Sequence, residues 1–409
     1  MESTSVSSFD WTQFNPANPI LRANPYPFYH LLRQAMPVCP TPAGAWLISG
    51  YAQGESILVD KRFATIDLNR IGQVAQLPQT PALEAARAMM ATTMLFMDPP
   101  RHGRIRGLVS RAFSPRMIES LRPRIGEIAT TLLERFEAGA EVDLIKDFAY
   151  PLPVIVIAEM LGVPAEDRDL FRRWTTDLAP LIDFLQSSEA VDRAMLAMEE
   201  IGQYLRELVQ KRRTDPREDL VSALIAAEER GDHLTEDEML ANIVLLLGAG
   251  HETTANLIGN GLLALINNRG ELEELRGNRE LIRSAVEESL RYDSPVQVTA
   301  RRTLEEVRVG EITIPTDSHV IVLIGACNRD PARFADPDNF SITREKNDHL
   351  TFGGGTHYCL GANLARAEGQ VAIDAIVQRF PRVELAASGI EYRELFNLRG
   401  LKSLPVTLS

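Results

Sequence analysis

The 409-residue sequence is poor in cysteine and carries no excess of positive charge. Its three cysteines, Cys39, Cys327 and Cys359, are too few and too scattered for a disulfide framework or for a zinc site built from paired C-x-x-C motifs. The formal net charge of −13 argues against a nucleic-acid partner and against binding to anionic lipid by charge alone. Small-molecule and protein partners remain open.

Targeting signals and long apolar runs are also missing. The first residues, MESTSVSSFDWTQFNPANP, lack a basic segment followed by an apolar one, and no stretch reaches about 18 uninterrupted apolar residues. No Gly/Ser-rich or Pro-rich linker divides the chain. We therefore expect one cytoplasmic domain over residues 1–409, without a membrane anchor and in monomeric form.

Helical patterns cover most of the chain. Apolar residues recur at the spacing of a helix with one buried face in the segments 117–136, 167–185, 190–211, 236–267, 279–292 and 360–380. Runs of β-branched residues predict strands in the segments 46–49, 307–324 and 401–408. The sequence therefore predicts a mainly α protein with a small β portion.

A glycine-rich loop around Cys359 is the first candidate for chemistry. It reads FGGGTHYCLG from Phe352 to Gly361, and a helical pattern follows at once. Glycine permits positive φ and a close approach of the backbone to a flat ligand. The dipole and free N–H groups at a helix N-terminus favour a thiolate, which binds iron. Taken alone, however, a cysteine in such a turn is more often an inert buried residue.

A polar pair inside a long apolar helix is the second candidate. The run IVLLLGAGHETTANLIGNGLLALI, which starts at Ile243, carries Glu252 and Thr253 near its middle. Burying an acid costs free energy, so its presence there calls for a reason. In the structural alternative, Thr253 hydrogen-bonds the carbonyl one turn back while Glu252 points to solvent. The neighbouring His251 receives no role.

These two segments resemble motifs of the cytochrome P-450 family. The loop is similar to the family's F-G-x-G-x-H-x-C-x-G, and AGHETT, from Ala249, is similar to A-G-x-[DE]-T-T. Further segments resemble the family's motifs in the family's order, among them DPPRHGRIR from Asp98 and the E-x-x-R of Glu288 and Arg291. Alone, this last pair would be a solvated ion pair on an exposed helix. In the family it is a structural lock.

The resemblance implies a haem b site, and it implies a role for each matching residue. Cys359 would be the metal ligand, with Phe352, Gly353 and Ala249 also at the cofactor. Thr253 and Glu252 would be the catalytic pair, which donates a hydrogen bond on the oxygen side and relays protons from solvent. The residues expected at the haem propionates are His102, Arg106, Arg301 and His357. Because Arg302 adjoins Arg301, that assignment is open by one position.

The resemblance also implies a fold and an activity. The fold is the triangular helical prism of the family, and the activity is insertion of one oxygen atom from O2 into a lipophilic substrate, by hydroxylation or by epoxidation. We expect electrons from a separate ferredoxin or flavodoxin with its reductase. A peroxide-driven haem-thiolate peroxygenase and a non-catalytic haem-fold recruitment module are the alternatives, but each would be expected to lack part of these motifs.

Apolar residues in the segments that select substrates in the family suit a bulky or flexible lipophilic molecule. These residues are Met89, Met90, Met94, Leu95, Leu178, Leu181, Ile182, Phe184, Leu245, Leu246, Ala249, Val296 and Val298. About half of them would simply belong to the core. A macrolide or other polyketide, a terpenoid or steroid, and a fatty acyl compound all fit this lining.

Overall fold

The computed structural model describes residue 15 and residues 18–66, 81–137, 139–178, 188–228 and 234–409. Helices dominate, which confirms the mainly α prediction. The α-helices are Pro19–Ala23 (α1), Tyr26–Ala35 (α2), Tyr51–Val59 (α3), Pro81–Met90 (α4), Arg101–Ala112 (α5), Pro115–Leu133 (α6), Pro151–Met160 (α7), Arg168–Leu178 (α8), Ser188–Thr214 (α9), Leu220–Glu228 (α10), Glu236–Asn267 (α11), Arg269–Gly277 (α12), Ile282–Tyr292 (α13), Ile324–Cys327 (α14) and Ala362–Arg379 (α15).

Short strands complete the fold. They are Val38–Pro40 (β1), Trp46–Ile48 (β2), Phe63–Ala64 (β3), Glu141–Asp143 (β4), Val298–Thr303 (β5), Val307–Val309 (β6), Ile312–Ile314 (β7), His319–Leu323 (β8), Val383–Leu385 (β9), Glu391–Tyr392 (β10), Leu401–Ser403 (β11) and Pro405–Leu408 (β12). The largest sheet has the order β1-β2-β8-β5-β3, and β4-β12-β9 form a second one. Both sheets join distant parts of the chain.

The helix predictions agree with the structure where end signals are strong. The segment predicted over 236–267 is α11 with the same bounds, because Thr235 and Glu238 form a reciprocal capping box at its start. The helix α6 begins two residues before its predicted start, because Ser114 caps it and Pro115 occupies its first turn. The segment predicted over 167–185 is α8 as far as Leu178, and its remainder lies outside the described residues.

The segment predicted as strand over 307–324 contains three separate strands, β6, β7 and β8. Gly310, with φ of +61°, makes the turn that pairs β6 with β7. The sequence analysis missed β5, whose residues VTARRT carry two arginines and lack a clear apolar alternation. In the structure β5 pairs antiparallel with β8. Among the described residues, no helix is long and apolar enough to span a bilayer.

The core is built around α11, which is buried along most of its length. It packs against α7, α13 and α15. Cys359 comes three residues before the start of α15, and Glu252 and Thr253 lie at the middle of α11. The two candidate segments therefore belong to helices that pack on one another.

A buried ion pair on α13 connects this core to the segment that leads to the cysteine loop. The side chains of Glu288 and Arg291 are both 0% exposed and share two hydrogen bonds of 2.8 Å. Arg344 places a second guanidinium 3.1 Å from Glu288, and Arg291 also donates to the carbonyls of Asn328 and Pro337. The solvated-pair alternative is therefore wrong, because this pair clamps the chain that precedes the cysteine loop.

We expect Arg291→Met to destabilise the protein by about 3–5 kcal/mol, because it leaves Glu288 buried with half of its counter-charge and several carbonyls without a donor. The matched control is Arg308→Met, which removes a pair at the same i,i+3 spacing whose members are 68% and 92% exposed. That change should cost less than about 1 kcal/mol. Urea unfolding of the three proteins measures both differences, and equal losses would contradict the clamp.

Candidate active site

The loop that carries Cys359 is shaped by glycines and by one backbone hydrogen bond. The N–H of Cys359 donates to the carbonyl of Phe352 at 2.8 Å, which closes the loop just before α15. Gly353 and Gly355 have φ of +69° and +60°, values that favour glycine. A Cβ at Gly355 would lie 2.8 Å from the carbonyl oxygen of Leu58. The glycines are therefore required by both conformation and space.

The thiol of Cys359 differs from the other two. Cys39 and Cys327 are buried, whereas Cys359 retains exposed surface. Desolvation raises the pKa of the Cys359 thiol, while the N–H of Gly361 and the guanidinium groups of Arg106 and Arg366 lower it. Exposed surface combined with strong desolvation describes a thiol that opens into a recess of the protein rather than to bulk water. It is placed to bind a ligand there.

Basic side chains from three elements gather near this loop. The rings of His102 on α5 and His357 in the loop have centroids 4.4 Å apart. Both ring nitrogens of His102 are buried and lack a hydrogen-bond partner in the described part of the chain. Desolvation, followed by the charges of His102 and Arg301, lowers the pKa of His357 to about 4. Such a cluster calls for an anionic ligand.

Arg301 and Arg302 point to different surroundings because successive side chains alternate across β5. Arg301 is 8% exposed, and its charge acts on His357. Arg302 instead pairs with Asp317 at 3.0 Å. Of these two arginines, Arg301 is thus the one that lies near His102 and His357. On α5, Arg106 donates to the carbonyl of Tyr358 at 2.6 Å, directly beside the cysteine.

The structural alternative for the middle of α11 is half right: the hydrogen bond of Thr253 is present, but Glu252 has a different orientation. Thr253 Oγ1 donates to the carbonyl of Ala249 at 2.7 Å, one turn back. Ala249 is exposed and Thr253 half-buried, although they lie within an otherwise buried helix, so this face borders open space. Glu252 does not point to solvent, since it is only 1% exposed. Its nearest charged partner is Arg393, whose Nε lies 3.1 Å from Glu252 Oε1.

Sequence reasoning missed Arg393 and also Tyr150, which contacts the side chain of His251 with ring centroids 4.2 Å apart. Both lie far from α11 in the sequence and match no motif, so no local signal could have identified them. They meet α11 only because the hairpin of β10 and β11 and the start of α7 pack near its middle. Phe352, in the cysteine loop, is half-buried, and the guanidinium of Arg366 lies 4.5 Å from the centroid of its ring.

The predicted substrate-lining residues divide into three groups. Those buried in the core are Met94, Leu178, Leu246 and Val298. Those with some exposure are Met89, Met90, Leu95, Leu245, Ala249 and Val296. Leu181, Ile182 and Phe184 lie outside the described residues. Among the described members, the second group is therefore the one that can line a pocket.

These residues fit a flat metallocofactor with two carboxylates. One thiol at a glycine-rich loop suits a single axial bond to iron, and the basic cluster of His102, His357 and Arg301 suits the carboxylates. The described residues hold no group of three or more His, Cys, Asp or Glu that could bind a metal by itself. The donor set is that of a haem-thiolate protein.

Comparisons with known proteins identify the family. A family model described as Cytochrome P-450 matches residues 56–391. Cytochrome P-450 107B1 of Saccharopolyspora erythraea is 46% identical over 367 residues, which cover 88% of this chain and 89% of that protein. The biotin biosynthesis cytochrome P-450 of Bacillus subtilis is 41% identical over 393 residues, or 94% and 96% of the two chains. The chain belongs to the cytochrome P-450 family.

A solved structure of P-450BioI in complex with acyl carrier protein ligated to hexadec-9Z-enoic acid has a TM-score of 0.89 and 40% identity, and the match covers 96% of this chain and 99% of that one. The predicted fold is therefore confirmed. The family binds haem b through a thiolate, so the predicted cofactor and the monooxygenase class are confirmed as well.

The buried His251 predicts a loss of stability in acid. Desolvation, followed by the charge of Arg393, lowers its pKa to about 3, whereas an unfolded histidine has a pKa of about 6.5. The unfolded chain thus binds the proton first, so this contribution is complete above about pH 6.5 and is lost as the pH falls toward 3.

We expect the free energy of unfolding to fall between pH 7 and pH 5 by about 2 kcal/mol more in the wild type than in His251→Phe. Urea titrations at the two pH values measure this difference. Because His30 is exposed, His30→Gln should retain the wild-type dependence. An equal pH dependence in His251→Phe and the wild type would show that His251 is not held neutral.

Proposed function

We propose that this chain hydroxylates a lipophilic substrate with O2 and with electrons from a separate ferredoxin or flavodoxin and its reductase. The overall reaction takes RH, O2, two electrons and two protons to ROH and water. The observation that carries the proposal is the pairing of a recessed thiol before α15 with a buried acid and a hydroxyl on the adjoining α11. Haem b, when bound, supplies O2 activation, which a thiolate ligand favours by donating electron density.

Each residue then has a defined task. Cys359 holds the iron, and Phe352, Gly353 and Ala249 border the cofactor. The basic residues that hold its carboxylates are His102, Arg106, Arg301 and His357. Thr253 shares its hydroxyl between the Ala249 carbonyl and the oxygen side of the site. Glu252 moves protons toward that hydroxyl, and delivery of these protons separates hydroxylation from the release of hydrogen peroxide.

A fatty acyl compound is the substrate class that we place first. The solved complex with an acyl-loaded carrier protein supports it, as does the partly exposed apolar lining with Met89 and Met90. Polyketides and terpenoids or steroids are the other classes, and epoxidation is the alternative reaction. Titration of the ferric protein with free fatty acids, an acyl carrier protein thioester, a macrolide and a steroid, followed by the spin-state shift, ranks them.

We further infer that residues 1–409 form one cytoplasmic domain that acts as a monomer. Support for a single domain comes from the sheets, where β2 pairs with β8 and β4 pairs with β12. A linker between two domains would separate such pairs instead of joining them.

Thr253→Ala separates this function from a peroxide-driven peroxygenase. With a reduced ferredoxin as electron donor, we expect product per electron pair to fall about tenfold and hydrogen peroxide to rise, because proton delivery has lost its hydroxyl. Thr253→Ser keeps the hydroxyl and should stay near the wild type, and haem content should be unchanged in both. Turnover that proceeds equally well with hydrogen peroxide alone and is indifferent to Thr253 would favour the peroxygenase.

A further inference from the structure

The side of α11 that carries Glu252 faces a polar cluster built from distant elements. His251, Glu252 and Asn256 come from α11, Tyr150 precedes α7, and Arg393 follows β10. The guanidinium of Arg393 lies 3.1 Å from the Glu252 carboxylate and 5.2 Å from the centroid of the Tyr150 ring. Three separate segments thus converge on one carboxyl group.

This cluster contains buried polar atoms without partners among the described residues. They are Nδ1 and Nε2 of His251, Oε1 and Oε2 of Glu252 and Nδ2 of Asn256. The Arg393 contact is close enough for an ion pair but is not aligned as a hydrogen bond. Leaving such atoms unsatisfied is unfavourable, and internal water is the usual way to satisfy them. The cluster is therefore a place where water is stabilised next to α11.

Arg393 connects the cluster to the surface. Its side chain is 19% exposed and borders a narrow surface cleft, together with Tyr29, Gln297 and Phe396. The other end of the same side chain reaches the buried Glu252. A route from solvent to the carboxylate therefore follows Arg393, on the hairpin side of α11.

Asn256 extends the route toward the hydroxyl. It follows Glu252 by four residues and Thr253 by three, so it lies next to both on the helix surface. The side chain of Asn256 fits against Gly400 only because glycine has no Cβ, since a Cβ on residue 400 would lie 1.8 Å from Asn256 Oδ1. The hairpin thus fixes both the cation and the amide that flank Glu252.

We propose that Arg393 is a positioning residue that holds the Glu252 carboxylate at a hydrated passage from the cleft, through which the protons of the reaction reach Thr253 by way of Glu252. The proposal rests on the monooxygenase function above. For each proton, a hydrated proton that enters from solvent protonates the carboxylate. The carboxylic acid gives H⁺ to the Thr253 hydroxyl through water held by Asn256, that hydroxyl gives its own proton to the oxygen side of the site, and the carboxylate is restored. No electrons move in these steps.

The charges around Glu252 make this cycle possible. Burial raises the pKa of the Glu252 carboxyl, and Arg393, followed by Asn256, lowers it. Tyr150 faces the carboxylate as a neutral phenol, because desolvation and then Glu252 itself raise its pKa to about 12. His251 is neutral as well. In the described part of the chain, Arg393 is the cation that keeps the carboxyl able to release its proton.

The first test measures protonation of Glu252 without turnover. Infrared titration of the purified protein follows the carboxylic acid band that Glu252→Gln abolishes. We expect Arg393→Gln to raise the midpoint of this band by about one pH unit or more, and Arg393→Lys to raise it less. The control is Lys402→Gln, which removes an exposed ion pair with Glu391 from the same hairpin and should leave the midpoint unchanged. An unchanged midpoint in Arg393→Gln would overturn the proposal.

The second test measures proton delivery. With a reduced ferredoxin, Arg393→Gln should lower product per electron pair severalfold, enlarge the solvent deuterium isotope effect and shift the acidic limb of the pH profile, whereas Lys402→Gln should match the wild type. If Arg393→Gln does not fold, Arg393→Lys carries both tests. Coupling equal to the wild type in a folded variant would overturn the proposal. A wild type without ferredoxin-driven turnover would instead refute the proposed function, while the infrared titration would still test the contact of Arg393 with Glu252.

Discussion

The close packing of α11 against α15 sets the geometry on which the site depends. Gly261 on α11 and Gly369 on α15 mark places of close approach, since a Cβ at either would lie 3.0 Å from a side chain of the facing helix, Ile373 or Leu257. Because both helices are long and mostly buried, this contact cannot shift without disturbing the core. It holds the loop before α15 and the middle of α11 in one fixed relation.

Within that frame, the protein keeps charged groups where burial alone would exclude them. The clamp of Glu288, Arg291 and Arg344 is internally balanced, so it stabilises the chain that leads to the cysteine loop. The basic cluster around His357 is not balanced by protein groups to the same degree. Desolvation, followed by the charges of His102 and Arg301, lowers the pKa of His357. A ligand with two carboxylates supplies the negative charge that the basic cluster lacks. The balanced clamp is therefore structural, whereas the basic cluster belongs to the site.

Prediction from the sequence succeeded where the relevant signal is local. The capping box at Thr235 and the pattern of α11 define that helix, and the motif around Cys359 indicates the family to which the chain belongs. It failed where the answer depends on tertiary contacts. The choice between Arg301 and Arg302 needs the alternation of β5, and Arg393 reaches Glu252 only through the folding of the C-terminal hairpin. The motif likewise does not show whether Glu252 is buried or points to solvent. Its burial depends on the elements that pack around α11.

The central claim is that Cys359 is the thiolate ligand of a haem in this recess. Its most direct test is the absorption spectrum of the dithionite-reduced protein under carbon monoxide, for the wild type and for Cys359→Ser. We expect a red-shifted Soret band in the wild type that is absent from the variant, because thiolate ligation of the haem produces that shift. A folded, haem-replete wild type without this band, or a Cys359→Ser variant that retains it, would contradict the assignment.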